Sequence, residues 1–214
     1  MFYLVRTPYW LKKLYGKRLW ELPGPGKKIY LTFDDGPHPE ITSFVLDELD
    51  KFNAKASFFC IGRNVEAHPG VYAEILKRGH ATGNHTYDHC NGWKTGTDVY
   101  VDSIQKAKAL IDSNLFRPPY GRMTSAQAKK VASAENGFQT VMWTILSGDF
   151  DPSTSPAQCR NNVIRNAGNG SIVVFHDSEK AYRLLKETLP AVLAHFSEKG
   201  FSFEKLSVKK IKNS

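Results

Sequence analysis

Cysteine is scarce in this chain of 214 residues, with three copies at positions 60, 90 and 159. An odd number with no C-x-x-C spacing excludes a complete disulfide framework, leaves one pair open, and otherwise reads as three small buried hydrophobes. Long apolar runs are missing too. The longest, such as 172–175, fall far short of the roughly 18–20 residues that cross a bilayer. The first residues are basic and aromatic, yet they lack a signal peptide's order of charged segment, apolar core and small-residue cleavage site. From sequence alone the expected compartment is therefore the cytoplasm. No G-x-G-x-x-G follows the first expected strand, and no G-x-x-x-x-G-K-S/T occurs anywhere, which argues against nucleotide phosphate binding.

What is present is globular. Hydrophobic residues make up 41% of the chain, aromatic residues 12% and charged residues 23%. That balance is too apolar for disorder, and the length suits one domain. The 29 Lys and Arg against 21 Asp and Glu leave a net charge of +8. The basic residues are spread, with doublets at 12–13, 27–28, 129–130 and 209–210, and no recognition motif accompanies them. A solvated basic surface is expected rather than a nucleic-acid site, and the chain is expected to be monomeric.

Apolar β-rich runs alternate with helix-period segments. Strands are expected at 28–33, 56–60, 81–84, 116–118, 140–146, 171–175 and 201–203. Between them, Ile41, Val45, Leu49 and Phe52 share a helix face, and a helix around 72–77 stops at Gly79. Thr97 and Thr124 are expected N-caps, Ser155-Pro156 opens a further helix, and 180–199 is helical apart from Pro190. Seven strands alternating with helices imply parallel βαβ units in an α/β fold, either a rolled incomplete barrel or a flat doubly wound sheet. No linker breaks the pattern. The expected layout is a basic, aromatic arm over 1–27 packed on one domain over 28–206, followed by a basic tail over 207–214.

The unusual polar residues fall just past the C-terminal ends of these strands, the rim on which α/β folds build sites. Asp34-Asp35-Gly36-Pro37 follows the first strand, His85-Thr86-Tyr87-Asp88-His89 the third, and Arg117-Pro118-Pro119-Tyr120-Gly121 the fourth. Asp149 follows the fifth and His176-Asp177 the sixth. His85 and His89 are four apart, so a helix or tight turn brings both rings to one side. With Asp35 they make a two-imidazole, one-carboxylate set that leaves a divalent cation an open position, as catalytic zinc sites do. Zn2+ is the first choice, and Co2+ or Ni2+ also suit the donors. Asp34 is then free to act as base towards water that the cation acidifies. Arg117 would fix the Asp34 carboxylate in its charged form. His176, its tautomer held by Asp149, suits a proton donor to a leaving group. The sequon Asn84-His85-Thr86 overlaps this cluster and carries no weight.

Thr32-Phe33-Asp34-Asp35-Gly36-Pro37, His85-Thr86-x-x-His89, Arg117-Pro118-Pro119-Tyr120-Gly121 and Val174-Phe175-His176 resemble, in order, the motifs of the NodB-like polysaccharide deacetylases, carbohydrate esterase family 4. The resemblance implies a distorted (β/α)7 barrel over the NodB homology domain, 28–206. It also implies metal-dependent hydrolysis of N-acetyl groups on N-acetylglucosamine-containing polysaccharide or oligosaccharide (peptidoglycan, chitin or chitooligosaccharide), releasing acetate. By position it makes Asp34 the base, Asp35, His85 and His89 the metal ligands, and Arg117 the residue that positions the base. Tyr120 matches the residue whose backbone N–H helps bind the oxyanion, Asp149 the partner of the catalytic histidine, and His176 the general acid. The family's fourth motif usually reads D-x-x-D-W, whereas this chain has Leu146, Asp149 and Phe150 at the three defined positions, and Val174 replaces a usual Leu. Phe150 keeps an apolar wall but removes an indole N–H, which bears on substrate choice. Family members often act at the envelope or outside the cell. An O-acetyl esterase acting on acetylated xylan and a non-catalytic carbohydrate-binding protein are the alternatives.

Overall fold

The computed structural model describes residues 3–133 and 135–207, so most of the expected C-terminal tail lies outside the described residues. After a short helix α1 (Tyr9–Leu14), strands and helices alternate as β1 (Lys28–Asp34), α2 (Ile41–Lys51), β2 (Ala56–Cys60), α3 (Gly62–Ala67), α4 (Pro69–Lys77), β3 (Ala81–Asn84), α5 (Thr97–Lys108) and β4 (Leu115–Phe116). A 3-10 turn (Pro119–Gly121) leads to α6 (Ser125–Val131), β5 (Gln139–Thr140), β6 (Ile145–Leu146), α7 (Pro156–Ile164), β7 (Ser171–His176), α8 (Glu179–Glu198) and β8 (Ser202–Phe203). None of the described helices is long and apolar enough to cross a membrane.

The strands run parallel in the order β5-β4-β3-β2-β1-β7-β6, curled into a half-barrel with helices outside, the distorted (β/α)7 form; β8 pairs only with the start of β1. β1 is central, and five of its seven residues are buried, as a parallel strand covered on both faces requires. Phe33 is wholly buried, with its ring stacked 5.1 Å from Phe58 and 5.9 Å from Phe175. Amphipathic α2 and α8 cover the outside, with Ile41, Val45 and Leu49 facing Leu185, Leu189 and Val192 within one apolar cluster.

Register carries the site. β1 and β7 align Asp34 with His176, β2 and β3 align Cys60 with Asn84, and β3 and β4 align Asn84 with Phe116. The ends of β1 and β7 therefore finish level, those of β2, β3 and β4 finish level one residue further along, and the residues at or just past them gather on one rim.

Where the expectations differ from the structure, the reasons are local. The run 140–146 is two short strands, because the intervening backbone pairs with the N-terminal arm instead. Met142 N–H donates to Leu19 at 2.7 Å, Leu19 N–H to Thr140 at 2.8 Å, and Thr7 N–H to Thr144 at 2.9 Å. The arm thus fills the gap between β5 and β6, satisfying backbone groups a sheet edge would leave open. Gly96, not Thr97, is the N-cap of α5, and α3 is a helix the apolar pattern did not indicate. Thr124 does cap α6, with a reciprocal capping box to Gln127. α8 continues through Pro190.

Truncating Phe33 to alanine should empty the middle of the aromatic stack. The expected loss is about 3–5 kcal/mol of unfolding free energy, read as a lower urea midpoint at unchanged slope. An unchanged midpoint would contradict the packing described.

Candidate metal centre and catalytic cleft

Asp34 and Asp35 leave β1 in succession and part company at once. Asp34 is buried and ion-paired, its Oδ1 accepting from Arg117 Nη1 at 2.7 Å. Arg117 is wholly buried. Its remaining donors reach Thr32 Oγ1 at 2.7 Å and the carbonyls of Met142 at 3.0 Å and Val141 at 3.4 Å, and its guanidinium lies over the Phe59 ring. Burial lowers the Arg117 pKa, and the neighbouring Asp34 charge opposes that shift. The carboxylate is thereby fixed in position by a charge-assisted bond.

Asp35 turns the other way because its backbone is left-handed, with φ of 83°. Its Oδ1 lies 3.2 Å from His89 Nε2 and 3.7 Å from His85 Nε2. The two histidines converge without a helix: Thr86 and His89 take φ of 63° and 57°, curling the loop after β3 back on itself. Such conformations cost about 1–3 kcal/mol each and persist where surrounding contacts dictate them. The buried Asn84 supplies one such contact, since its side chain accepts from Thr86 N–H at 2.8 Å and donates to Ile104. That burial disposes of the overlapping sequon.

These donors fit a cation. His85 Nδ1 lies 2.8 Å from the Arg117 carbonyl, which can only accept, so the ring proton sits on Nδ1 and Nε2 presents a lone pair. Burial holds the His85 pKa down to about 4, which keeps it neutral as a ligand must be. Asp35 Oδ1 is buried with no hydrogen-bond partner. For Asp35, burial acts to raise the pKa, but the close approach of His89 and the charge of His176 prevail and hold it well below the usual carboxylate range. One carboxylate oxygen and two imidazole nitrogens, all within 4.8 Å of one another, make a donor set that suits a divalent cation.

Opposite lies His176. Its Nδ1 contacts Asp149 Oδ1 at 2.8 Å, and its backbone N–H donates to Asp149 Oδ2 at 2.7 Å. Burial alone would lower the His176 pKa, but the charge and hydrogen bond of Asp149 outweigh it and raise the pKa to about 9. The ring is therefore protonated at neutral pH, with Nε2–H directed away from Asp149. Tyr120, exposed and with φ of 59°, stands with its ring 4.6 Å from that of His89. Phe150 rests edge-on against His176, ring centroids 5.3 Å apart.

The eight residues singled out in the sequence thus lie on one rim, seven of them around one polar cluster and Tyr120 at its edge. Asp34, Asp35, His85, His89, Tyr120 and His176 all line a single cleft of about 670 Å³. Asp177 is a residue the sequence reading left without a role. Its buried carboxyl accepts from Gly36 N–H at 3.0 Å and from Thr42 Oγ at 2.5 Å, and a Cβ on Gly36 would fall 2.0 Å from it. It clamps the turn that presents Asp35. The only signal was its place, one residue beyond His176 at the end of β7.

Titration with Zn2+ should give one tight site per chain. Asp35→Ala or His89→Ala should weaken it by more than the roughly 10–100-fold expected from losing an outer supporting group. Wild-type affinity in both variants would remove the proposed donor set.

The polysaccharide deacetylase family profile matches residues 21–141. A peptidoglycan-N-acetylglucosamine deacetylase of Bacillus cereus is 34% identical over 194 residues, covering 88% of this chain and 90% of its own. A chitooligosaccharide deacetylase of Azorhizobium caulinodans is 36% identical over 156 residues, covering 70% of this chain and 73% of its own. Among solved structures, the Bc1960 peptidoglycan N-acetylglucosamine deacetylase superposes with a TM-score of 0.83 at 31% identity, covering 94% of this chain and 95% of that one. Profile, relatives and fold agree with the four motifs gathered on the rim, and the chain belongs to the polysaccharide deacetylase family, the NodB-like carbohydrate esterases of family 4.

Proposed function

We propose that this protein is a metal-dependent hydrolase that removes N-acetyl groups from N-acetylglucosamine residues of a glycan, with the peptidoglycan strand as first substrate, releasing acetate. The carrying observation is that Asp35, His85 and His89 converge beside an Arg-fixed Asp34 and across one cleft from an Asp-held His176. Peptidoglycan is favoured because the relatives of highest coverage are named for it, and a chain of +8 charge suits an anionic wall.

A divalent ion held by Asp35, His85 and His89, Zn2+ first and Co2+ or Ni2+ next, would supply Lewis acidity towards the acetyl carbonyl and the attacking water. Asp34 takes a proton from that water. Arg117 keeps the accepting oxygen aimed, so little reorganisation accompanies transfer. As the carbonyl carbon becomes tetrahedral, the backbone N–H of Tyr120 donates to the developing oxyanion, a contribution of about 3–4 kcal/mol where such donors have been removed. His176 gives its Nε2 proton to the sugar nitrogen as the C–N bond breaks. Acetate and a free amine leave.

Acetate release should be measured side by side on peptidoglycan, chitooligosaccharides and acetyl-xylan, before and after chelation and Zn2+ return. Release from the amide substrates that stops on chelation and returns with metal supports the reading; release from acetyl-xylan alone would replace it with the esterase. Asp34→Asn should lower kcat/KM by about 10²–10⁴-fold, the usual weight of a positioned base.

The pH dependence has a definite sign. His176 must carry its proton, so activity persists below its raised pKa and falls as pH climbs through about 9. Asp149→Asn removes the charge that raises it, so the alkaline limb should move towards the ordinary histidine value of about 6.5. An alkaline limb identical in the two proteins would rule out the Asp149–His176 pair as acid.

A further inference from the structure

We infer that Tyr3, from the N-terminal arm, is a positioning residue for the proton donor, acting through Phe150; the inference rests on the deacetylase reading of the same cleft. Phe150 contacts two rings. Tyr3 lies 5.1 Å away, tilted at 58°, and His176 lies 5.3 Å away, edge-on at 74°. Tyr3, Phe150 and His176 all line the cleft. The Tyr3 hydroxyl is 3.1 Å from Thr154 Oγ1, and Thr154 is buried in the same β6–α7 loop as Phe150. The arm therefore pins that loop at two points, by ring packing at Phe150 and by a hydrogen bond at Thr154.

Gly148 shows how closely the phenol is fitted. A Cβ at this position would fall 2.4 Å from the Tyr3 hydroxyl oxygen, and the residue has φ of 82°, so only glycine is free of strain there. The consecutive residues 148–150 accordingly do three linked things: Gly148 admits Tyr3, Asp149 holds His176 by ring and backbone, and Phe150 packs against its ring. A phenylalanine ring is smaller than an indole, and at this wall Tyr3 supplies a second aromatic surface against it.

A ring that steadies the donor should matter when the leaving group needs a proton and should not when it leaves unaided. The test compares wild type, Tyr3→Ala and Tyr3→Phe, loaded with Zn2+, on an N-acetylglucosamine oligomer and on 4-nitrophenyl acetate, whose phenolate departs without protonation. Tyr3→Ala is expected to lower kcat on the amide about tenfold, a fraction of a general acid's whole weight. On the aryl ester it should stay within about twofold of wild type. Tyr3→Phe keeps the ring and loses only the Thr154 bond, so it should recover most of the amide rate. Thermal midpoints check that the variants are folded, and Phe150→Leu repeats the comparison if Tyr3→Ala is not. Equal losses on both substrates would make the role structural, and no loss on either would end the inference. A wild type inactive on the amide but active on the ester would instead overturn the deacetylase reading itself.

Discussion

One buried cation organises the interior of this barrel. Arg117 sits at the end of a two-residue strand, yet its guanidinium touches β1 through Thr32 and Asp34, β2 through the face of Phe59, and the segment after β5 through the carbonyls of Val141 and Met142. Taking two charges out of water costs several kcal/mol per ion, recovered only when every donor finds a partner. Here they do. The outcome is less a gain in stability than a constraint on geometry: strands separated in sequence must end where this fork can reach them. The same backbone that carries Arg117 offers its carbonyl to His85, so the tautomer of the proposed metal ligand and the orientation of the proposed base are set by one residue.

Around that fixed point the site is assembled from backbone that the rest of the molecule avoids. Of the five described non-glycine residues with positive φ, four (Asp35, Thr86, His89 and Tyr120) belong to the candidate site or its supporting loop. Such conformations are held by contacts from outside: Asn64 donates to the Asp35 carbonyl at 2.7 Å, Asn84 holds Thr86, and Asp177 braces the turn at Gly36.

Much of this was legible in the sequence, for identifiable reasons. β2 and β3 were bounded correctly, and Thr124 announced its helix as a good N-cap residue. The four rim motifs identified the family because each pairs a short apolar strand with a chemically unusual next residue. The misses share another cause. The break within 140–146 is imposed by an arm more than a hundred residues away, and the role of Asp177 depends on a turn at the other end of the chain. The helix that follows β2 has only two buried residues, too few for a period to show. Local pattern records what a segment prefers; these features record what a distant segment requires of it.

The position of β1 at the middle of the sheet has a consequence for how the chain is made. β1 leaves the ribosome early, but the neighbour on one of its edges is β7, and Thr32 waits for a carbonyl 141 residues further along. At typical elongation rates that interval is on the order of ten seconds. During it β1 lacks the β7 partner along one of its edges. The central strand of the sheet thus gains its second edge partner only after β7 has been made.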